Sequence, residues 1–141
     1  MNAKIENKLL AVIRVRGRPG VRHDIRETLN RLNLKRPNNL SLVYGTKPNI
    51  GMITKCNDFI TYGEISEEVL HKLAERKELK AKKEELNEAF NGKKKPQEVI
   101  RMPIKMHPPR RGYEGIKASY GNKGSLGYRG EKINELLKRM M

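Results

Sequence analysis

Residues 8–44 carry the clearest structural pattern of the chain, and they read KLLAVIRVRGRPGVRHDIRETLNRLNLKRPNNLSLVY. Residues 9–15 are a short aliphatic run, which is typical of a β-strand. Side chains alternate between faces in an extended chain, so residues 9, 11, 13 and 15 share one face and residues 10, 12, 14 and 16 share the other. The pattern therefore predicts a strand that is apolar at its start and basic at its end.

A turn, a helix and a second strand follow. The sequence GRPG at residues 17–20 ends the strand, because Gly and Pro both interrupt regular structure. Residues 21–32 then change to a helical period, with one apolar stripe formed by Val21, Ile25, Leu29 and Leu32. Arg22, Arg26 and Arg31 lie off that stripe. Residues 37–39 break the chain again, and residues 40–44 are a second apolar run, so the unit is strand, basic turn, basic helix and strand.

The following residues complete a small domain. Residues 45–48 predict a turn, residues 50–56 a short helix, and residues 59–62 a third strand that is β-branched and aromatic. The first 64 residues therefore predict the order β-α-β-α-β, an α+β fold. Two amphipathic helices on one face of a small sheet would bury the apolar stripes of both helices.

The remainder predicts a helical segment followed by an extension. Ser66 suits a helix N-cap, and residues 67–91 are strong helix formers up to Gly92. Their apolar residues form two patches off a common stripe, so this helix either breaks or contacts different neighbours. Residues 99–106 contain Pro103 and predict an edge strand or an extended arm, and residues 131–140 predict a closing helix. We accordingly divide the chain into a compact core at 1–64 and a helical, basic, Gly/Pro-rich extension at 65–141.

The charge of the chain points to a polyanionic partner. Its 141 residues carry a net charge of +15, and the isoelectric point is about 10.1. Residues 1–64 hold 12 Lys and Arg against 5 Asp and Glu, residues 65–100 hold 9 against 8, and residues 101–141 hold 10 against 3. Two basic regions thus flank a nearly neutral one, and nucleic acid is the partner that such charge favours.

Membrane association and secretion are not expected. The longest apolar run is far shorter than a membrane span, and the first residues lack the apolar segment of a signal peptide. A single cysteine cannot form an intramolecular disulfide, which fits a reducing cytosol. The expected location is therefore the cytoplasm.

Two basic segments are candidates for phosphate contact. The loop GRPG fits the GXXG clamp of the KH fold in spelling, but it follows a strand, whereas the KH loop joins two helices. Backbone N–H groups at a helix start, with arginines around them, would hold a phosphate, although a tight turn with a solvated basic face is the simpler alternative. The sequence HPPRRG at residues 107–112 precedes a stretch rich in Gly, Tyr and Lys. This composition is typical of a segment that orders against RNA, with a disordered basic tail as the alternative.

No catalytic or metal-binding pattern is present. The three histidines are scattered, Cys56 is the only cysteine, and no ligands have the close paired spacing of a zinc site. We expect Cys56 to be a small buried hydrophobe and His71 to be solvated. The sequence thus predicts no catalytic residue, no metal, no cofactor and no small-molecule substrate.

Several spaced blocks resemble one protein family. These blocks are IRVRGRPGVR at residues 13–22, TLNRLNLKRPNN at 28–39, GMITK at 51–55 and DFITYGEI at 58–65. In this order they resemble the universal large-subunit ribosomal protein thirty family, which includes eukaryotic large-subunit protein seven. The segments MHPPRRGY at 106–113 and GSLGYRGEKINELL at 124–137 are similar to the carboxy-terminal extension of archaeal and eukaryotic members.

The resemblance implies a three-stranded antiparallel sheet with two helices on one face. It also implies assembly into the large ribosomal subunit through contacts with its long ribosomal RNA, close to the small 5S RNA, and with neighbouring large-subunit proteins. The residues expected to contact RNA are Arg14, Arg16, Arg18, Arg22, Arg26, Lys35, Arg36, Lys47 and Lys55 in the core, and His107, Arg110, Arg111, Lys117, Lys123 and Arg129 in the extension. Ser41 and Cys56 depart from the family pattern, because an aliphatic residue is common at both positions.

Two other classes of protein remain as alternatives. A free-standing RNA- or DNA-binding regulator or chromatin protein would explain the charge but not the Gly/Pro-rich extension, and no helix-turn-helix or zinc module is evident. An RNA-modifying enzyme would need a nucleophile with its base, a metal cluster or a cofactor motif, none of which the sequence shows.

Overall fold

The first strand, β1 (Leu9–Arg14), is the centre of a five-stranded sheet with the order β4-β2-β1-β3-β5. The computed structural model describes residues 8–16, 21–76, 83–93, 104–110, 124 and 126–140. The other elements are α1 (His23–Arg31), β2 (Asn39–Tyr44), α2 (Lys47–Lys55), β3 (Ile60–Glu64), α3 (Glu67–Arg76), α4 (Lys83–Phe90), β4 (Ile104–Lys105), β5 (Gly127–Tyr128), a 3₁₀ turn (Gly130–Lys132) and α5 (Ile133–Met140).

The predicted order β-α-β-α-β is confirmed for the first part of the chain. β1 pairs antiparallel with β2 and with β3, and α1 and α2 pack on one face of the sheet. The second helix begins at Lys47, earlier than the predicted residue 50, since Pro48 lies within the first helical turn. Proline is well suited to that position because its missing N–H would have no helical partner there. The third strand extends to Glu64, two residues beyond its predicted end.

The sheet has two more strands than the three that were expected. β4 pairs antiparallel with β2, and β5 pairs parallel with β3, so the sheet is mixed and not purely antiparallel. Each added strand is only two residues long and therefore shows no alternation that a sequence pattern could reveal. β4 confirms the predicted edge strand for the described part of residues 99–106. Both strands cover edges that β2 and β3 would otherwise leave unpaired.

The two faces of β1 support two separate hydrophobic clusters. Leu10 and Val12 pack with α1 and α2, whereas Leu9, Ala11 and Ile13 pack with α3, α4 and α5. Every residue of β1 is buried, which explains why its sequence is a continuous aliphatic run. The hydrophobic contacts of β1 therefore extend across residue 64, the boundary of the predicted division into two parts.

Helices α3 and α4 lie side by side within residues 67–91, which agrees with the predicted alternative that this helical stretch breaks. His71 Nε2 lies 3.0 Å from Asn87 Oδ1, although the 16 intervening steps would separate these residues by about 24 Å along one straight helix. The apolar residues thus belong to two helices. Leu70 and Leu73 of α3 and Leu86 of α4 are buried. His71 was expected to be solvated, but α4 covers it and its side chain is only 29% exposed.

The absence of a side chain at Gly63 lets the carboxy-terminal helix pack directly on the sheet. A Cβ atom at Gly63 of β3 would collide with the carbonyl oxygen of Gly130 and would lie 2.9 Å from Ile133 Cβ. Asn134 adds polar contacts, because its Oδ1 accepts from Ser66 N at 2.9 Å and its Nδ2 donates to the Glu64 carbonyl at 3.3 Å. The start of α5 is therefore fixed directly against β3.

A buried arginine fixes the end of β1. The side chain of Arg14 is 2% exposed. Its Nε donates to the Arg16 carbonyl at 3.0 Å, and its Nη1 donates to the carbonyls of Leu34 and Lys35 at 2.8 and 3.1 Å. The backbone carbonyl of Arg14 also accepts from Asn38 N at 2.8 Å. One side chain thus joins the end of β1 to the loop between α1 and β2 through charge-assisted hydrogen bonds.

The loop that Arg14 holds is shaped by two asparagines. Asn33 and Asn38 have positive φ values of 62° and 65°, which asparagine tolerates better than most residues. At Asn33 the helix ends in a Schellman motif, in which Leu34 N donates to Leu29 O and Asn33 N donates to Asn30 O. This turn directs the carbonyls of Leu34 and Lys35 towards Arg14.

Replacing Arg14 by methionine should lower the free energy of unfolding by about 2–4 kcal/mol, because three carbonyl acceptors lose a buried cationic donor. Chemical denaturation would measure the change. Arg36→Ala is the matched control, since Arg36 is exposed and its replacement should cost at most about 0.5 kcal/mol. Equal stability of the two variants would contradict the anchoring role of Arg14.

Ser41 contains a buried hydroxyl that lacks a hydrogen-bond partner among the described residues. It lies in β2 opposite Val12 of β1, at a position where the resemblance leads one to expect an aliphatic side chain. Burying a hydroxyl without a partner costs free energy. The position is therefore a local weakness of the core.

Replacing Ser41 by alanine should raise the free energy of unfolding by about 1 kcal/mol, because the unsatisfied hydroxyl is removed. Thermal or chemical denaturation would report the change. Thr61→Val is the control, since Thr61 Oγ1 donates to Gly127 O at 3.1 Å and accepts from Arg129 Nε at 2.8 Å. The control should be destabilised, and a similar loss in both variants would contradict our interpretation of Ser41.

Candidate nucleic-acid interface

The topology gathers cations at one end of the sheet. β1 ends there, whereas β2 and β3 begin there and the short strand β4 crosses beside β2. The cations at this end are Arg16, Lys35, Arg36 and Lys105, and we call them the strand-end surface. Three of them are exposed, and Arg16 is half-buried. Lys105 was not predicted as a site residue, since only the register of β4, which pairs it with Asn39, places it here.

Arg16 is held against an aromatic ring. Its guanidinium carbon lies 5.1 Å from the centroid of the Phe59 ring, a cation–π arrangement. The backbone N–H groups of Val15 and Arg16 both donate to the Phe59 carbonyl, at 2.9 and 3.3 Å. A guanidinium that lies over a ring keeps N–H groups that can donate to an oxyanion. Arg16 is thus a cationic donor held beside Phe59 at the end of β1.

A second group of cations surrounds Asp24 on the neighbouring helices. Arg22 binds both carboxylate oxygens of Asp24, at 2.9 and 3.2 Å, and Lys55 Nζ lies 3.9 Å from Oδ2. The hydrogen bond from Arg22 is the largest cause that lowers the pKa of Asp24 below its ordinary value. Two cations therefore share one carboxylate and leave a local excess of positive charge. Arg26 is exposed in the same helix, and its Nη2 donates to the Val21 carbonyl at 3.4 Å.

This group adjoins the strand-end surface. Phe59 N donates to the Cys56 carbonyl at 2.9 Å, so the end of α2 with Lys55 lies directly beside the ring that supports Arg16. Among the exposed core cations that were predicted and that the structure describes, Lys47 lies apart from this grouping. It follows the end of β2 at Tyr44, which pairs with Leu9, so a strand length of about 20 Å separates it from the strand-end surface.

Two predicted residues of the extension lie along the end of α5. His107 N donates to the Met140 carbonyl, and Arg110 N donates to the Arg139 carbonyl, both at 3.1 Å. Arg139 Nη1 donates back to the Arg110 carbonyl at 3.2 Å. The side chains of His107 and Arg110 are exposed. These backbone contacts fix a basic segment on the surface of the helix.

Two of the predicted RNA contacts are instead buried inside the protein. Arg129 is 7% exposed, and its Nε donates to Thr61 Oγ1 at 2.8 Å, while Arg14 binds the three carbonyls described above. Both guanidinium groups thus have a structural role in this conformation, which residue type alone could not distinguish from a surface role. Arg18, Arg111, Lys117 and Lys123 lie outside the described residues.

Cys56 is buried as predicted. Burial is the largest cause that raises the pKa of its thiol, to about 11. The thiol Sγ lies 3.9 Å from the Ile25 carbonyl oxygen, so it fills space between α1 and α2. A protonated, enclosed thiol is a poor nucleophile and a poor metal ligand.

The described residues offer neither a metal-binding cluster nor a membrane-spanning helix. They contain no group of three or more His, Cys, Asp or Glu side chains that could hold a metal ion. No helix in that part of the chain combines the length and apolar character needed to cross a membrane.

Comparison with known proteins identifies the family. The model of the family described as ribosomal protein L30p/L7e matches residues 10–60. Proteins named large ribosomal subunit protein uL30 align along nearly the whole chain. The protein of Thermoplasma volcanium is 39% identical over 94% of this chain and 93% of its own length. That of Methanococcus vannielii is 38% identical, over 93% and 98%, and that of Saccharolobus solfataricus is 35% identical, over 95% and 99%.

These alignments confirm the resemblance seen in the sequence blocks, and they include the extension as well as the core. At such identity and coverage, the chain belongs to the ribosomal protein L30p/L7e family.

Proposed function

We propose that this chain is a structural component of the large ribosomal subunit that binds and stabilises folded ribosomal RNA in the cytoplasm. The relatives named above are large-subunit proteins by name, and membership of their family supports the same assembly for this chain. Ribosomal proteins of this kind are structural and not enzymes. Ribosomal RNA and neighbouring large-subunit proteins are the proposed partners, with a position close to the small 5S RNA.

The observation that carries the RNA-binding proposal is the convergence of exposed cations at one end of the sheet. The strand-end surface draws Arg16, Lys35, Arg36 and Lys105 from separate segments of the chain, and the Asp24 group extends it along α1 and α2. The anchor at Arg14 holds the backbone that carries Arg16, Lys35 and Arg36. These donors are therefore arranged by the fold before any RNA is bound.

The proposed mechanism is electrostatic and geometric. Arginine edges and lysine ammonium groups would bind phosphate oxygens, with release of condensed counterions into the solvent. Arg16 can offer a bidentate contact, because its guanidinium carries a fork of N–H donors and lies over the Phe59 ring at the end of β1. A rigid cationic surface would select the spacing of phosphates in folded RNA and would thereby stabilise that fold.

Replacing Lys35 and Arg36 together by alanine should reduce the magnitude of the salt slope of binding to large-subunit ribosomal RNA by about 1.4–1.8, because two phosphate contacts would be lost. Filter binding across a series of salt concentrations would measure the slope, with circular dichroism to establish that the variant folds. The control is Lys83→Ala/Lys93→Ala, which removes the same charge from exposed positions away from this surface. An equal slope in both double variants would contradict the assignment of the surface.

Sedimentation of a native lysate tests the proposed assembly itself. The protein should co-sediment stoichiometrically with the large subunit, should survive a high-salt wash, and should leave that fraction after RNase treatment. A peak at the top of the gradient, or one removed by modest salt, would contradict the proposal and would favour a free regulator. Comparable affinity for duplex DNA and ribosomal RNA at physiological salt would support that second class of protein.

A further inference from the structure

A basic groove lies on the face of the sheet opposite α1 and α2. Its volume is about 530 Å³, and its described lining residues are Lys72, Glu75, Arg76, Arg110 and Lys138. They come from the second half of α3, the last turn of α5 and the segment that follows β4. Four of these five side chains are cations and one is a carboxylate, so the groove carries a clear excess of positive charge.

Salt bridges within the protein balance only part of that positive charge. Lys72 Nζ lies 3.2 Å from Glu68 Oε1 on the same helix. Within the described part of the chain, Arg76, Arg110 and Lys138 form no salt bridge. A cation in the last turn of a helix complements the helix dipole, which would explain Arg76 and Lys138 individually. It does not explain Arg110, which belongs to neither helix but is fixed beside them by its backbone contacts with Arg139.

The groove connects with the strand-end surface through one segment of the chain. Lys105 pairs with Asn39, and Met106 N donates to the Asn38 carbonyl at 3.2 Å. From there the segment reaches the end of α5, where His107 and Arg110 contact the carbonyls of Met140 and Arg139. Five residue steps span at most about 17 Å, so Lys105 and Arg110 can contact phosphates up to a few nucleotides apart or on different strands.

We propose that this groove is a second RNA-backbone site, which binds the phosphates of an RNA segment distinct from the one at the strand-end surface. The inference rests on the proposed function and extends it, because a protein with two such sites would hold two RNA segments at a fixed separation. RNA fits the groove better than an acidic protein segment does. Repeated phosphates supply dense negative charge to cations on three separate elements, and arginine binds phosphate bidentately.

The first test maps which nucleotides lie near each surface. Cys56 is buried with a pKa of about 11, so an added exposed cysteine can be labelled selectively with iron-EDTA. The labelled variants are Glu75→Cys in the groove, Asp58→Cys beside Phe59 at the strand end, and Lys93→Cys as the control, bound to complete large-subunit ribosomal RNA. Hydroxyl radicals generated at residue 75 should cleave a set of nucleotides different from those cleaved from residue 58.

The outcomes of this mapping separate the inference from the proposed function. Cleavage from residue 58 without cleavage from residue 75 above the level of the residue 93 control would overturn the groove assignment and leave the strand-end surface intact. A single shared set of cleaved nucleotides would overturn the claim of two RNA segments. Absence of cleavage from both positions, together with no specific RNA binding, would overturn the proposed function and the inference with it.

A second test measures the contribution of the groove to binding. Arg76→Ala/Lys138→Ala should reduce the magnitude of the salt slope by about 1.4–1.8, if two phosphate contacts are lost, and should weaken binding at physiological salt about tenfold. Lys8→Ala/Lys93→Ala is the charge-matched control, because both residues are exposed and neither lines the groove, and circular dichroism checks that both variants fold. A slope equal to that of the control would overturn the inference even if Lys35→Ala/Arg36→Ala reduced it.

Discussion

The buried guanidinium of Arg14 is the interaction on which the basic end of this fold depends. It satisfies three backbone carbonyls, from Arg16, Leu34 and Lys35, that would otherwise need other partners at the end of a fully buried strand. Neutral side chains cannot offer several diverging N–H donors from one position. The same contacts fix the backbone at Arg16 and Lys35, so an internal cation determines where external cations are presented.

The second constraint is that β1 is apolar on both faces. One amphipathic layer can cover only one face of a sheet, and α1 and α2 already fill that role. The other face is covered by α3, α4 and α5, with Ile104 and Met106 packed among them. The extension is therefore held to the core by hydrophobic burial and by the edge strands β4 and β5. That packing places Lys105, His107 and Arg110, which belong to the basic region at residues 101–141, beside the basic region at residues 1–64.

Sequence patterns predicted the elements that have enough length to show a period. β1, α1 and β2 follow from residues 9–44, because alternation and helical stripes there extend over several turns or pleats. An edge strand was predicted within residues 99–106, but its pairing with β2, and β5 altogether, could not be predicted, since two residues show no period and their positions depend on free edges elsewhere. The family resemblance also did not supply them, because it implied only the three strands of the compact core.

The candidate site was predicted by residue type but not by exposure. Arg14 and Arg16 are two residues apart and share a predicted face, yet Arg14 is enclosed by the α1–β2 loop while Arg16 lies over the Phe59 ring. The local sequence does not distinguish the two arginines, because the loop carbonyls of Leu34 and Lys35 that enclose Arg14 lie 20 and 21 residues later in the chain. Lys105 is the opposite case. The sequence did not predict it as a site residue, because only the register of a short strand places it at the strand end. The division of the cations into internal and external sets therefore requires the tertiary structure.

The separation of internal from external cations also explains how the fold tolerates its charge. The charge of Arg14 is stabilised in the interior by hydrogen bonds to carbonyl dipoles, whereas Arg22 and Lys55 share the single carboxylate of Asp24 at the surface. The remaining exposed cations repel one another, and this repulsion acts against the compact state. A polyanion that binds only the folded chain would remove the repulsion and stabilise the fold by mass action. The surplus charge at the strand end and in the groove would thus couple the stability of this protein to occupation of the RNA sites proposed above.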